Sequence, residues 1–148
     1  INVSRTMARI GAKFGGEENG GIFYGPHLAV RDGAMAAALV VNIMATTGKS
    51  LSTLLSELPK HYSWKSKVAC PNPVKDKALE KLREETARLK VDTLDGVKIR
   101  FEDQSWILIR PSGTEPIFRL FAEAKTQERA TGLVEEYSQT LGRIVKNV

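Results

Sequence analysis

The chain reads as an α+β protein. Its C-terminal domain has the order β-α-β-β-β-α, an antiparallel sheet covered by helices, and part of an α/β domain precedes it. Three observations predict this. Val97, Ile99 and Phe101 alternate with Lys98 and Arg100, and the apolar runs Trp106–Ile109 and Ile117–Ala124 follow across short polar breaks, the pattern of an antiparallel meander. Apolar residues at three-to-four-residue spacing in 73–89 and 127–144 mark helices on either side of it in the chain. The glycine-rich stretch GGEENGG at 15–21, ahead of a small-residue helix, sets the first third of the chain apart.

Taken in order, that first helix spans about Asp32 to Thr47 and stops at Gly48, and a shorter one follows from Leu51 to Leu58. Its apolar strip, Ala36, Leu39, Val40 and Ile43, needs a partner surface that about 56 residues cannot supply, so this half reads as truncated. Pro59-Lys60-His61-Tyr62 breaks the pattern. The expected organisation is residues 1–58 as the end of one domain, 59–66 as a hinge and 67–148 as a second domain. In the second domain SKVAC (66–70) is a short strand. Asn72 then caps a helix from Pro73 to about Leu89, with Val74, Ala78, Leu82 and Leu89 on its inner face. Asp95-Gly96 signals a turn, Glu102-Asp103-Gln104 joins two strands of the meander, and Thr126 caps a last helix burying Leu133, Tyr137, Leu141 and Ile144.

At 148 residues, 42% hydrophobic and 26% charged, the chain can bury a core. No apolar stretch approaches the roughly 20 residues that span a bilayer, and no secretory pattern opens the chain, so no membrane partner and a cytoplasmic setting are expected. The lone cysteine, Cys70, cannot form an internal disulfide and suits a buried strand position. The net charge of +5 is spread among glutamates as on solvated helix faces, not gathered on one element or interleaved with aromatics, so no nucleic-acid partner is expected. The chain opens at Ile1 without an initiator methionine, as a piece of a longer polypeptide would.

Two constellations carry chemistry. In WILIRPSGTEPIFRLFAE (106–123) two strand-like runs flank a tight loop with Arg110 and Arg119 at its ends. A guanidinium offers a planar fork to two phosphate oxygens, Ser112 and Thr114 add hydroxyl donors, and Gly113 lets the backbone come close to an oxyanion. Pro111 and Pro116 stiffen the shoulders, and such a concave donor array holds a dianion without a metal. The same residues also suit an ordinary hairpin, with the arginines paired to Glu115 and Glu123. In GGEENGG, the carboxylates Glu17 and Glu18 with the amide of Asn19 match the donor-and-acceptor character of sugar hydroxyls, though an acidic surface loop has this composition too. No Asp-x-Asp or histidine cluster supports a metal there, and His27 and His61 are isolated.

The pair GGEENGG and RPSGTEPIFR, with RDGAMAAA (31–38), DGVKI (95–99) and Trp106 between or beside them, resembles the α-D-phosphohexomutase family. The branch it looks like is the archaeal-type phosphomannomutase/phosphoglucomutase and phosphoglucosamine mutase one. The resemblance implies the end of the third and the whole fourth of four domains. It implies that Glu17 and Asn19 contact hexose hydroxyls, while Arg110, Ser112, Gly113, Thr114 and Arg119 hold the substrate phosphate. Family members commonly have serine and histidine where this chain has Asn19 and Gly21. The resemblance further implies an isomerase that interconverts hexose 1- and 6-phosphates (mannose, glucose or glucosamine) through a phosphoserine and a bisphosphate intermediate. Its Mg2+ is bound by an aspartate-rich loop outside this chain. Neither that loop nor the serine loop occurs in these 148 residues, so no catalytic or metal residue is expected here, the isolated chain is expected to be inactive, and the remaining domains of the same polypeptide are its expected partners. The competing reading is a stand-alone anion- or nucleic-acid-binding module.

Overall fold

The computed structural model of the chain describes residues 1–17 and 19–148, and its compact units divide between Pro59 and Lys60. Glu18 lies outside the described residues.

In the first unit, α1 (Asn2–Ile10) leads into a three-stranded antiparallel sheet of β1 (Phe14–Gly16), β2 (Ile22–Tyr24) and β3 (Leu28–Arg31), in that order. Neither α1 nor the sheet was expected. The strands are three or four residues long, too short for an alternation to be read, and the first two glycines of the glycine-rich stretch belong to β1. Met7 and Phe23 are the buried apolar residues of this unit. The helix expected after Asp32 is α2 (Gly33–Thr47), closed by Gly48, and α3 spans Leu51–Ser56. The apolar strip along α2 is only partly covered among the described residues: Val40 is 38% and Ile43 47% exposed, and with Leu51, Leu54, Leu55 and Leu58 they line a groove of about 460 Å³.

The second unit starts with β4 (Tyr62–Ala69), which pairs with β8 (Ile117–Ala124) along its whole length, from Tyr62 opposite Ala124 to Ala69 opposite Ile117. Residues 62–66 of the expected 59–66 hinge are therefore strand. As an edge strand with mostly exposed side chains, Tyr62-Ser63-Trp64-Lys65-Ser66-Lys67 shows no apolar alternation, which hid it. The helix expected over 73–89 divides. A turn of 3-10 helix (Asn72–Val74) precedes α4 (Lys75–Thr86), and Asn72 makes no capping bond; Val74 occupies the cap position. The helix stops at Thr86, and Lys90–Asp92 form an unexpected strand, β5, with only Val91 half-buried.

β6 (Val97–Arg100), β7 (Trp106–Pro111) and β8 form the anticipated meander, and the sheet order β4-β8-β7-β6-β5 inserts the last strand beside the first. α5 (Gln127–Lys146) begins at Thr126, whose hydroxyl accepts the Arg129 amide at 3.2 Å. Burial alternates strictly along β8, and along β7 as far as Arg110. Ile107, Ile109, Phe118 and Leu120 are fully buried in one core with Ala78 and Leu82 of α4 and Leu133 and Leu141 of α5. Each such Leu, Ile or Phe contributes about 1.5–3 kcal/mol by leaving water. The opposite face carries Arg110, Arg119, Leu108 and Phe121, half-buried. Cys70, directly after β4, is fully buried, and burial pushes its thiol pKa up, so it is a packing residue. No helix among the described residues is long and apolar enough to cross a membrane.

At the start of α2, Asp32 accepts the Met35 amide at 2.9 Å and pairs with His27 Nε2 at 3.1 Å, and these bonds hold its carboxyl below the ordinary range. Because the folded pKa is depressed, the stabilisation is present above the unfolded value of about 3.9 and is lost as pH falls through the lower folded one. Hydrogen-exchange protection of the first-turn amides of α2 is expected to drop as pH falls below about 4. Asp32→Asn, which keeps the cap but not the acid, is expected to remove that dependence.

Candidate anion-binding site

The β7–β8 register sets Arg110 directly opposite Arg119, on the sheet face away from the helices. Each guanidinium is held by one carboxylate. Arg110 Nη1 donates to Asp95 Oδ2 at 2.9 Å, and Arg119 Nη2 donates to Glu115 Oε2 at 2.5 Å. Of the two carboxylates named in advance, Glu115 is thus a partner, while Glu123 instead accepts from Trp106 Nε1 at 3.2 Å. All four paired side chains are between 39 and 55% exposed, a setting in which an ion pair is worth about 0–1 kcal/mol and exchanges readily. Across β8, Lys67 pairs with Arg119, so the register row carries three cations, Lys67, Arg119 and Arg110. Lys67, Glu115, Ile117, Arg119 and Phe121 line part of a depression of about 570 Å³ beside them.

The strand runs through Pro111, so Arg110 sits on β7 itself and the loop shortens to Ser112–Pro116. Several hydrogen bonds shape it. The Ser112 amide donates to the Ile117 carbonyl at 2.9 Å. The buried Ser112 hydroxyl accepts from the amides of Glu115 at 3.2 Å and Thr114 at 3.4 Å. The Pro116 carbonyl accepts the Cys70 amide at 2.8 Å, and Lys75 Nζ donates to the carbonyls of Ser112 at 2.7 Å and Glu115 at 2.5 Å. Ser112, expected as a donor to an anion, has its oxygen engaged as an internal acceptor; its O–H is still available to donate. Among the described residues, the Gly113 amide and the Thr114 hydroxyl have no partner, and a Cβ built on Gly113 would meet nothing within 4 Å. All five residues expected at the phosphate thus stand at one end of the β7–β8 hairpin. Lys67, Lys75 and Asp95 were not foreseen there.

Gly96 fixes the position of Asp95. Its φ is 91°, and a Cβ there would collide with the Ile109 carbonyl oxygen and lie 2.8 Å from Arg110 Cα. The Asp95-Gly96 turn is therefore packed directly on the backbone that carries Arg110.

In the first unit, the Glu17 amide donates to the Gly21 carbonyl at 2.8 Å and the Gly20 amide to the Glu17 carbonyl at 3.0 Å, between the paired strands β1 and β2. Asn19 Oδ1 accepts the Gly21 amide at 3.1 Å, which leaves its side-chain NH2 as the outward group. Glu17 Oε2 is buried with no hydrogen-bond partner among the described residues, and Arg31 Nη1 stands 3.4 Å away as its counter-charge. A Cβ on Gly21 would lie 2.5 Å from Arg31 Cδ and 2.8 Å from Glu17 Oε2, so Arg31 fills the space that a side chain at position 21 would take. The loop can accept hydroxyl protons at Glu17 and donate at Asn19.

These features coincide with a known family. The model described as phosphoglucomutase/phosphomannomutase, alpha/beta/alpha domain III, matches residues 1–62, and that of the C-terminal domain matches residues 66–139. The chain belongs to the phosphoglucomutase/phosphomannomutase family. A phosphoglucomutase/phosphomannomutase of Thermococcus kodakarensis is 44% identical over 90% of this chain and 29% of its own length. A phosphoglucosamine/phosphogalactosamine mutase of Sulfurisphaera tokodaii is 42% identical over 92% of this chain and 30% of its own length. A probable phosphoglucosamine mutase of Methanothermobacter thermautotrophicus is 35% identical over 98% of this chain and 33% of its own length. The chain thus spans about a third of the curated relatives it matches. A crystal structure of a phosphoglucomutase/phosphomannomutase family protein from Burkholderia thailandensis shares the fold, with a TM-score of 0.74 and 24% identity over 95% of this chain and 30% of that one.

Gly96→Ala in this family member is expected to cost about 1–3 kcal/mol of unfolding free energy from backbone strain alone. The clash with Ile109 and Arg110 should also shift the amide resonances of residues 109–111 in the folded fraction. Urea denaturation and a heteronuclear NMR spectrum check both.

Proposed function

We propose that the chain is the substrate-binding C-terminal part of a phosphohexomutase, its second unit gripping the phosphate of a hexose phosphate and its first contacting the sugar hydroxyls. The observation that carries this reading is the cross-strand pair Arg110 and Arg119 beside the unpartnered Gly113 amide, a dense set of anion donors on a loop already held in shape. The family membership supports it. Names of relatives include glucose-, mannose-, glucosamine- and galactosamine-directed mutases, so a hexose 1- or 6-phosphate is the substrate class.

On this reading each guanidinium exchanges an exposed carboxylate, Asp95 or Glu115, for phosphate oxygens. A dianion gains two charge-assisted contacts while the displaced carboxylates return to water. The Gly113 amide, the Thr114 hydroxyl and the Ser112 O–H supply further donors. Glu17 and Asn19 orient the ring by exchanging hydrogen bonds with vicinal hydroxyls. Binding energy gathered at the phosphate that is not transferred positions the reacting hydroxyl of the sugar, which is how remote contacts speed a distant step.

The rest of the polypeptide is proposed to supply the phosphoserine and the Mg2+ site that assists phosphoryl transfer. Among the described residues no group of three or more His, Cys, Asp or Glu could hold a metal ion. The residues of this chain are proposed to bind and orient the substrate. The short linker around Pro59 and Lys60 is proposed as the hinge that lets the phosphate-binding unit close on substrate and open for its reorientation.

Arg110→Ala is expected to weaken glucose 1-phosphate binding to the 148-residue chain by about 1.5–3 kcal/mol, roughly 10- to 150-fold, by calorimetry. Arg110→Lys is expected to recover only part of the loss, because a point charge cannot make the bidentate contact. Unchanged affinity in both variants would contradict the assignment.

A further inference from the structure

Lys75 is the buried charge that the reading above leaves unused. Its residue is 8% exposed at the first position of α4, and no carboxylate pairs with it among the described residues. Burying an ammonium without a counter-ion is costly, and two carbonyl acceptors satisfy its protons without cancelling its charge. Both acceptors belong to the anion loop, at positions 112 and 115, far away in sequence.

The consequence follows from peptide geometry. No peptide bond among the described residues is cis, so the carbonyl of Ser112 and the N–H of Gly113, which share one planar unit, point in opposite directions. Drawing the Ser112 oxygen inward onto Lys75 therefore turns the Gly113 N–H the opposite way, away from Lys75, at a residue beside which a Cβ would meet nothing within 4 Å. The Ser112 hydroxyl meanwhile ties down the next two amides. The loop presents one free backbone donor, with a positive charge beneath it.

We infer that Lys75 is the positioning residue of the anion loop: it aims the Gly113 amide at the bound phosphate and supplies, from behind the backbone, a positive charge that favours a dianion over a monoanion. This rests on the phosphate-binding role proposed above for Arg110 and its loop. Lys75 touches no substrate and acts only through the peptide unit and its field.

The test compares the full 148-residue chain with Lys75→Met, Lys75→Arg and Arg110→Ala, titrated with glucose 6-phosphate and glucose 6-sulfate at one pH. Calorimetry and the Gly113 amide resonance give the readouts, and circular dichroism checks folding. Lys75→Met is expected to lose at least tenfold in phosphate-ester affinity, to lose the ligand-induced shift at Gly113 and to narrow the preference for phosphate over sulfate. Lys75→Arg is expected to recover most of that preference. A purely structural role would weaken both esters equally. A folded Lys75→Met that keeps wild-type affinity, preference and Gly113 shift, while Arg110→Ala loses binding, overturns the role of Lys75 and leaves the loop reading standing. If Arg110→Ala also binds normally, the loop reading itself fails. Should Lys75→Met not fold, the ammonium resonance of Lys75 in the wild-type chain decides: it is expected to move on saturation with glucose 6-phosphate, and a stationary signal overturns the inference.

Discussion

Antiparallel pairing of β7 and β8 places two arginines directly across from one another, and like charges in that relation repel. The register is nevertheless firmly set, because a slip of one residue would carry Ile107, Ile109, Phe118 and Leu120 out of the core and turn the guanidiniums into it. The apolar alternation of these two strands thus enforces a concentration of positive charge that the charges alone would not adopt. Asp95 and Glu115 relieve it, each at an exposed site where the pairing is weak. A cation pair forced together by packing and lightly covered by exchangeable carboxylates is disposed to take a dianion.

The loop between the strands is held from several directions at once. Ser112 caps it from within, Cys70 fixes Pro116, and Lys75 anchors two carbonyls from the opposite helix. Little ordering is then left to be done when an anion arrives, which favours affinity and a fixed geometry. The hairpin of the first unit follows the same logic on a smaller scale. Its turn is closed by its own backbone bonds, leaving the Glu17 carboxylate and the Asn19 amide as the groups that can meet hydroxyls, and Arg31 takes the room beside Gly21. Arg31, 3.4 Å from the Glu17 carboxylate, gives this loop a positive charge beside Gly21.

Much of the second unit was legible because its signals are strong. The alternation through Val97–Phe101, the two apolar runs around RPSGTEP, the Thr126 cap and the inner face of α5 all correspond to observed elements. The elements that escaped are short or lie at an edge. β5 buries half of one side chain, β1 to β3 offer three or four residues each, and β4 spreads its lysines and serines along an exposed edge, so its first residues read as linker and only 66–70 as strand. Composition is a poor guide wherever one strand face is solvated and the other is covered by little more than a helix edge.

For the site, the residues on the hairpin itself were readable because they are contiguous in sequence. Lys75, Lys67, Asp95 and Arg31 were not, since each reaches its place through tertiary structure: a helix start beneath the loop, a neighbouring strand, a packed turn and the far edge of a hairpin. No local pattern announces such partners. The most direct measurement is a crystal structure of this chain soaked with glucose 6-phosphate. The phosphate is expected between the Arg110 and Arg119 guanidiniums with one oxygen accepting the Gly113 N–H, and with Asp95 and Glu115 released. A phosphate bound elsewhere on the chain, with both arginine–carboxylate pairs intact, would contradict this placement.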